Sequence, residues 1–145
     1  MLIRLFLVFT LTLSVCTSLL AQPYNSALGA RLGMPAGLSY KVFLNDVSAL
    51  EGVAAVRIRH GFVASLWYER HSEVFTEQML FVYGFGGHAG TYDEHFEFGA
   101  DGILGLEYVF EQAPVSFMFD VNPTLSIRTN VGFLINGAFT LRYIF

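Results

Sequence analysis

Apolar and polar residues alternate along most of the chain beyond residue 21, and the period of the alternation is two. In Ala49–Arg59, for example, Val56 and Ile58 alternate with Arg57 and Arg59. Successive side chains of a β-strand point to opposite faces, so this pattern predicts strands with one apolar and one polar face. No comparable helical period follows residue 21, and the chain is therefore predicted to be all-β.

Turn residues divide the alternation into eight segments. The predicted strands are Ala27–Gly33, Leu38–Leu44, Ala49–Arg59, Phe62–Glu69, Met79–His88, Ile103–Phe110, Val115–Val121 and Val131–Phe145. The longer predicted connections are His71–Glu77, Ala89–Gly99 and Pro123–Asn130. In the glycine-rich segment Met79–His88 we expect Phe81, Tyr83 and Phe85 to share one face, and Gly84, Gly86 and His88 to share the other.

The first segment, Met1–Ala21, is predicted to be a secretory signal peptide. Arg4 precedes an apolar run, small and polar residues follow it, and Ala21 offers a cleavage site. The alternative is a retained transmembrane anchor, because a run of this length can span a bilayer. Removal of the 21-residue leader from 145 residues leaves 124, Gln22–Phe145, as a single domain.

Composition excludes several classes of protein. The chain is 54% hydrophobic and only 14% charged, whereas intrinsic disorder requires low hydrophobicity and high charge. Twelve acidic residues outnumber eight basic ones, so the chain has no electrostatic basis for binding nucleic acid. Its one cysteine, Cys16, excludes a disulfide framework and a cysteine-ligated zinc site.

The alternation fits two kinds of barrel, one with its apolar rows inside and one with them outside. Aromatic residues gather near the ends of the apolar rows, as in the girdles of membrane barrels. The polar rows are sparse and of mixed sign, which suits a narrow lumen. A membrane strand needs about 9–11 residues, and eight such strands with short connections fit the chain. We therefore predict an eight-stranded antiparallel up-and-down transmembrane β-barrel filled by side chains.

Charges on the polar rows are expected to pair inside this barrel, because an unpaired buried charge costs several kcal/mol. We expect this network to be structural and not a proton or ion path. Its predicted members are Arg31, Lys41, Glu51, Arg57, Arg59, Glu69, Glu107, Asp120 and Arg142.

The chain ends on Phe139-Thr140-Leu141-Arg142-Tyr143-Ile144-Phe145, an alternating strand with a terminal aromatic residue. With the leader and the eight segments, this ending resembles the small outer-membrane β-barrel proteins of Gram-negative bacteria, of the outer-membrane protein X and outer-membrane protein A transmembrane-domain type. The resemblance implies a place in the cell outer membrane and contact with the lipid bilayer and lipopolysaccharide. It also implies that the outer-membrane assembly machinery recognises Phe139, Leu141, Tyr143 and Phe145. We expect a monomer.

No metal or cofactor is expected. His88 and His95 flank the acidic residues Asp93 and Glu94, but their separation of seven residues lies mostly across a predicted loop. It does not match the helical i, i+4 spacing of a metal-binding histidine pair.

The chain is not expected to be an enzyme. Ser65 and Ser72 lie near His60 and His71 in the sequence, but their alternation does not assemble a Ser–His–acid arrangement. Two alternatives to a non-catalytic envelope protein remain open. One is a secreted or periplasmic small-molecule-binding barrel of the lipocalin type, and the other is a lipid A-modifying enzyme of the outer membrane.

Overall fold

A computed structural model describes residues 23–145, and the predicted leader lies outside these residues. Turn residues separate eight strands in the order of the chain. The strands are β1 (Ser26–Gly33), β2 (Ala36–Phe43), β3 (Ser48–Arg57), β4 (Gly61–Val74), β5 (Thr76–Tyr92), β6 (His95–Val109), β7 (Val115–Ile127) and β8 (Val131–Ile144). In residues 23–145 no helix is long and apolar enough to cross a membrane.

Each strand pairs antiparallel with the next, and β8 pairs with β1 to close the barrel. Leu28 lies opposite Tyr143 in the closing ladder. The predicted all-β, eight-stranded, up-and-down antiparallel barrel is thus confirmed as a fold. Both described chain ends lie at one end of the barrel with the β2–β3, β4–β5 and β6–β7 turns. We call this the terminal end and the opposite one the notched end.

Three predicted connections are shorter in the structure than in the prediction, because many of their residues belong to the paired strands of a hairpin. β4 and β5 meet at the single residue Phe75, in the predicted connection His71–Glu77. Tyr92 pairs with His95 within the predicted loop Ala89–Gly99, and β7 runs on to Ile127. Backbone pairing does not require apolar side chains, so polar and glycine-rich stretches extend these strands.

A gap in the wall, which we call the notch, opens where β1 is shorter than β8. β8 pairs with β1 only as far as Ala138 opposite Gly33. Beyond that point residues 131–137 pair with β7. On the other edge Met34 N–H donates to the Gly137 carbonyl oxygen at 3.4 Å, and residues 131–136 have no strand partner there among the described residues. Leu134, which belongs to the inward row of β8, is 61% exposed there.

Side chains partition between the two faces of the wall with the expected period of two. The apolar rows point outward, and they include Val56, Leu106, Phe119 and Leu141, all exposed. The facing predicted for Met79–His88 is confirmed, because Phe81, Tyr83 and Phe85 point outward while His88 is buried. The enclosed side chains are largely polar or charged, with a smaller apolar cluster consisting of Val53, Ala55, Val63, Trp67, Val82, Ile103 and Met118.

Candidate functional site

A network of buried ion pairs fills the terminal end of the barrel. Lys41 Nζ lies 2.8 Å from Glu69 Oε2, 3.3 Å from Glu51 Oε2 and 3.5 Å from Glu107 Oε2. Arg142 contacts two of these carboxylates, with Nη2 at 2.5 Å from Glu51 Oε1 and Nη1 at 3.3 Å from Glu107 Oε1. All five side chains are fully enclosed. Each charged group contacts an opposite charge from another strand, so the network links β2, β3, β4, β6 and β8 across the interior.

Neutral donors extend this network from three further positions. The Tyr24 hydroxyl donates to Glu107 Oε1 at 2.8 Å, and the Ser116 hydroxyl donates to the same oxygen at 2.7 Å. The Ser39 hydroxyl donates to Glu51 Oε1 at 2.5 Å. Tyr24 precedes β1, and burial together with the neighbouring Glu107 carboxylate raises its pKa well above the usual value.

A second ion pair links β1 to β7. The two terminal nitrogens of Arg31 lie 2.7 and 2.8 Å from the two oxygens of Asp120, which is a bidentate arrangement. Arg31 also donates to Asn122. Its guanidinium lies over the Trp67 ring, 5.1 Å from the centroid.

A cluster of charged side chains surrounds Glu97 at the notched end. Arg57 Nη2 lies 2.8 Å from Glu97 Oε1, and Arg128 Nε lies 3.1 Å from Glu97 Oε2. Both guanidinium groups lie over the ring of Tyr92, with Arg128 at 3.9 Å from its centroid. Two cations therefore surround one carboxylate here, and this cluster carries a net positive charge.

Next to this cluster, three neighbouring strands bring together a hydroxyl, an imidazole and a carboxylate. The Ser126 Oγ of β7 lies 3.3 Å from His88 Nε2 of β5, and His88 Nδ1 lies 2.7 Å from Asp101 Oδ1 of β6. Trp67 Nε1 donates to the other Asp101 oxygen at 3.0 Å. Gly99 makes room for the imidazole, because a Cβ at that position would lie 2.8 Å from His88 Cε1.

A small cavity borders His88 and Asp101 in this part of the interior. Its volume is about 30 Å³, and polar residues such as Thr124 and Asn136 line it together with Arg31. A water molecule requires about 10–15 Å³ measured in this way, so the cavity has room for water but not for a larger ligand.

The charges predicted to line the lumen are placed as follows. Seven of them are fully enclosed by the barrel wall, and Arg57 faces inward near the notched end with 20% of its side chain exposed. The seven are Arg31, Lys41, Glu51, Glu69, Glu107, Asp120 and Arg142. The prediction for Arg59 is wrong, because β3 ends at Arg57. Arg59 lies in the following turn with φ of 68° and is exposed.

Several polar residues of the interior were missed by the sequence analysis. Glu97, Asp101 and Ser126 fall in stretches that were predicted to be connections or lay between the predicted segments. Continuing the alternation of Ile103–Phe110 backwards would have placed Asp101 on the same face as Glu107, which is where the structure has it. The four residues of the predicted assembly signal, Phe139, Leu141, Tyr143 and Phe145, point outward and are exposed.

The two histidines considered as metal ligands lie in different environments. His88 points into the barrel toward Asp101, whereas His95 is exposed and its Nδ1 lies 2.7 Å from the Asp93 carbonyl oxygen. Within residues 23–145 no group of three or more His, Cys, Asp or Glu side chains is arranged to hold a metal ion.

The fold and the interior define a small closed barrel whose enclosed space holds paired charges and whose outer face is apolar. No family model, no curated protein and no solved structure matches the chain.

Proposed function

We propose that the protein is an integral outer-membrane β-barrel with a side-chain-filled lumen and a structural role in the cell envelope. The observation that carries this proposal is the apolar outer face. Soluble monomers rarely expose contiguous apolar patches larger than a few hundred Å², whereas large apolar side chains are exposed on every strand here. Examples from opposite sides of the wall are Leu38, Leu66, Phe85, Leu104, Phe119 and Leu141.

The closed wall supports the same proposal. In hydrocarbon every backbone N–H and C=O must be paired within the protein, and a closed antiparallel barrel achieves this along its paired strands. Tyr40, Tyr108 and Tyr143 lie exposed toward the terminal end. Rings of this kind are typical of the interface between lipid and water.

The interior favours a membrane barrel over the lipocalin-like alternative. A binding barrel encloses a ligand-sized space of about 300–1,000 Å³ lined mainly by apolar groups. Here Lys41, Arg142 and their carboxylate partners occupy the terminal end, and the cavity at the other end measures about 30 Å³. The large apolar side chains that would line a binding cavity lie on the outer face instead.

Two segments of the chain support the proposed location in the outer membrane. The leader-like Met1–Ala21 is expected to direct the chain out of the cytoplasm. The outward row Phe139, Leu141, Tyr143 and Phe145 is available to the outer-membrane assembly machinery. In this location the outer face would contact bilayer lipid and lipopolysaccharide, with the protein as a monomer.

Expression of the full chain in a Gram-negative host tests this proposal. We expect the protein in the outer-membrane fraction, extractable only with detergent, and with a gel mobility that changes on boiling. A Phe145→Ser variant should accumulate less in that fraction, while the exposed Phe75→Ser variant, in a turn, serves as the matched control. Release of the wild-type protein by osmotic shock, soluble without detergent, would overturn the proposal and favour the binding barrel.

A further inference from the structure

The hydroxyl, imidazole and carboxylate at the notched end stand in the order of a nucleophile, a general base and a positioning acid. We propose that Ser126, His88 and Asp101 hydrolyse carboxylic esters that carry an apolar acyl chain. Ser126 Oγ lies 3.3 Å from His88 Nε2, and His88 Nδ1 lies 2.7 Å from Asp101 Oδ1. Serine hydrolases are recognised by this geometry and these roles, on unrelated folds and in any chain order.

The hydrogen bonds fix the tautomer that this chemistry needs. An ionised Asp101 carboxylate can only accept a hydrogen bond, so Nδ1 of His88 is the donor in this contact, and in the neutral imidazole the Nε2 lone pair then faces the hydroxyl of Ser126. Trp67 holds the other oxygen of Asp101, so the carboxylate cannot turn away. Glu97 also approaches Nε2, at 3.6 Å, but its charge is already balanced by two arginines.

An unused cationic donor stands beside the imidazole. Arg57 Nη1 is buried and has no hydrogen-bond partner among residues 23–145. Its sister nitrogen Nη2 contacts Glu97 Oε1, the same oxygen that His88 Nε2 approaches. A buried and unpaired guanidinium N–H in this position can stabilise the oxyanion that forms when Ser126 attacks a carbonyl.

The notch offers a route from the outer face to Ser126. Ser126 lies opposite Gly132 on β8, and nothing lies within 4 Å of the place where a Gly132 Cβ would be. The edge of the notch carries Phe133, Leu134 and Ile135, all more than 60% exposed. An apolar acyl chain can lie on these side chains while its ester reaches over Gly132, which is why the substrate is assigned an apolar chain.

The reaction balances with water as the only co-reactant. Ser126 Oγ attacks the carbonyl carbon as His88 Nε2 takes its proton, and that proton then passes to the departing alkoxide, giving an acyl-serine and an alcohol. Water, for which the cavity beside His88 has room, then attacks the acyl carbon and gives its proton to Nε2. Release of the fatty acid returns the proton to Ser126 Oγ.

The test uses the folded full-length barrel with p-nitrophenyl butyrate and p-nitrophenyl decanoate. We expect hydrolysis above the buffer rate, with the decanoate preferred. Ser126→Ala and His88→Gln should each lower the rate about 100-fold or more, and Asp101→Asn should lower kcat and change its pH profile. Ser116→Ala is the matched control, since Ser116 is a buried inward serine of the same strand bonded to a carboxylate, and it should keep the wild-type rate.

Two further measurements do not depend on variants that might fold poorly. A fluorophosphonate probe should label the wild-type protein at Ser126, as located by mass spectrometry of the peptides. Gly132→Phe, at a position with open space around it, should slow the decanoate more than the butyrate. The proposal is overturned if the folded wild-type protein neither hydrolyses the esters nor takes up the probe, or if Ser126→Ala retains the activity. Its failure would leave the membrane location untouched, because fractionation tests that separately.

Discussion

Replacing Arg142 by methionine removes the cation that two of the buried carboxylates share. Arg142 lies against Glu51 at 2.5 Å and against Glu107 at 3.3 Å. Its Nε also donates to the Ser39 hydroxyl at 3.0 Å. Methionine keeps much of the length of the side chain, so the substitution tests the charge more than the volume.

The expected loss of stability is large because the carboxylates stay buried. Removing one partner of a buried ion pair costs about 3–5 kcal/mol, most of which comes from the charge left without compensation. After Arg142→Met the three carboxylates of Glu51, Glu69 and Glu107 would face Lys41 as their remaining contacting Lys or Arg side chain. We therefore expect a decrease of about 3–5 kcal/mol in the free energy of unfolding.

The chain carries its own probe for this measurement. Trp67 is the single tryptophan of the sequence and lies inside the barrel, so its fluorescence should change on unfolding. Urea titration of the refolded barrel gives the free energies of unfolding of the wild type, the variant and a control. The control is Arg59→Met, whose arginine lies in an exposed turn and whose effect should stay within about 0.5 kcal/mol.

A double-mutant cycle separates pairing from packing. Glu51→Gln combined with Arg142→Met should cost less than the sum of the two single changes, with a coupling energy of about 0.5–3 kcal/mol. If Arg142→Met lowers the stability by less than about 1 kcal/mol, or if Arg59→Met costs as much, the assignment of these side chains to a buried charge network is wrong.

Three other changes test the outer face, the packing of the interior and the terminal end. Leu106→Arg places a charge on the outer face and should cost about 2–4 kcal/mol on folding into lipid vesicles if this row contacts hydrocarbon; unchanged folding would contradict the membrane proposal. Met118→Ala, at a fully buried position, should cost about 2–5 kcal/mol in the same urea titration, and a loss below 1 kcal/mol would mean that the interior is loosely packed. Because burial and Glu107 raise the pKa of Tyr24, its stabilising contribution is complete below the usual tyrosine value of about 10 and is lost as the pH rises above it. Tyr24→Phe should therefore unfold with a weaker dependence on alkaline pH than the wild type, and equal slopes would refute this.

Which residues share a face of the wall could be predicted from the period of two. The aromatic residues near the strand ends and the sparse polar rows of mixed sign then predicted that the polar face is the enclosed one. Lys41, Glu51 and Glu107 alternate with apolar neighbours, and all three are enclosed. The same rule failed at Arg59, where the alternation continues in the sequence past the end of the strand. The backbone turns there with a positive φ, and side-chain pattern alone does not report where a ladder stops.

The arrangement of Ser126, His88 and Asp101 could not be predicted, for a different reason. The three residues come from three strands, and their meeting depends on the register between strands. In this barrel His88 lies opposite Gly99, and Gly99 lies opposite Ser126. The turns of the hairpins set that register. The sequence analysis predicted the loop Ala89–Gly99 where Tyr92 pairs with His95 across a two-residue turn, so the register of these strands was not predicted.

The notch constrains how the barrel would lie in a bilayer. Unpaired backbone groups in hydrocarbon cost several kcal/mol each, so the free edge of residues 131–136 is tolerated only near water. β1, the eight residues Ser26–Gly33, reaches about 26 Å along its axis at about 3.3 Å per residue, and less across a bilayer once tilted. The apolar band of such barrels is about 25 Å tall and their strands tilt by about 35–45°, so the closed wall beside β1 would cover about 19–22 Å of it. The notch would then begin close to the boundary between hydrocarbon and headgroups, near the depth at which the ester bonds of membrane lipids lie. The proposed membrane placement depends on the apolar outer rows, and the proposed esterase site depends on Ser126, His88 and Asp101. Both proposals give the site the same depth.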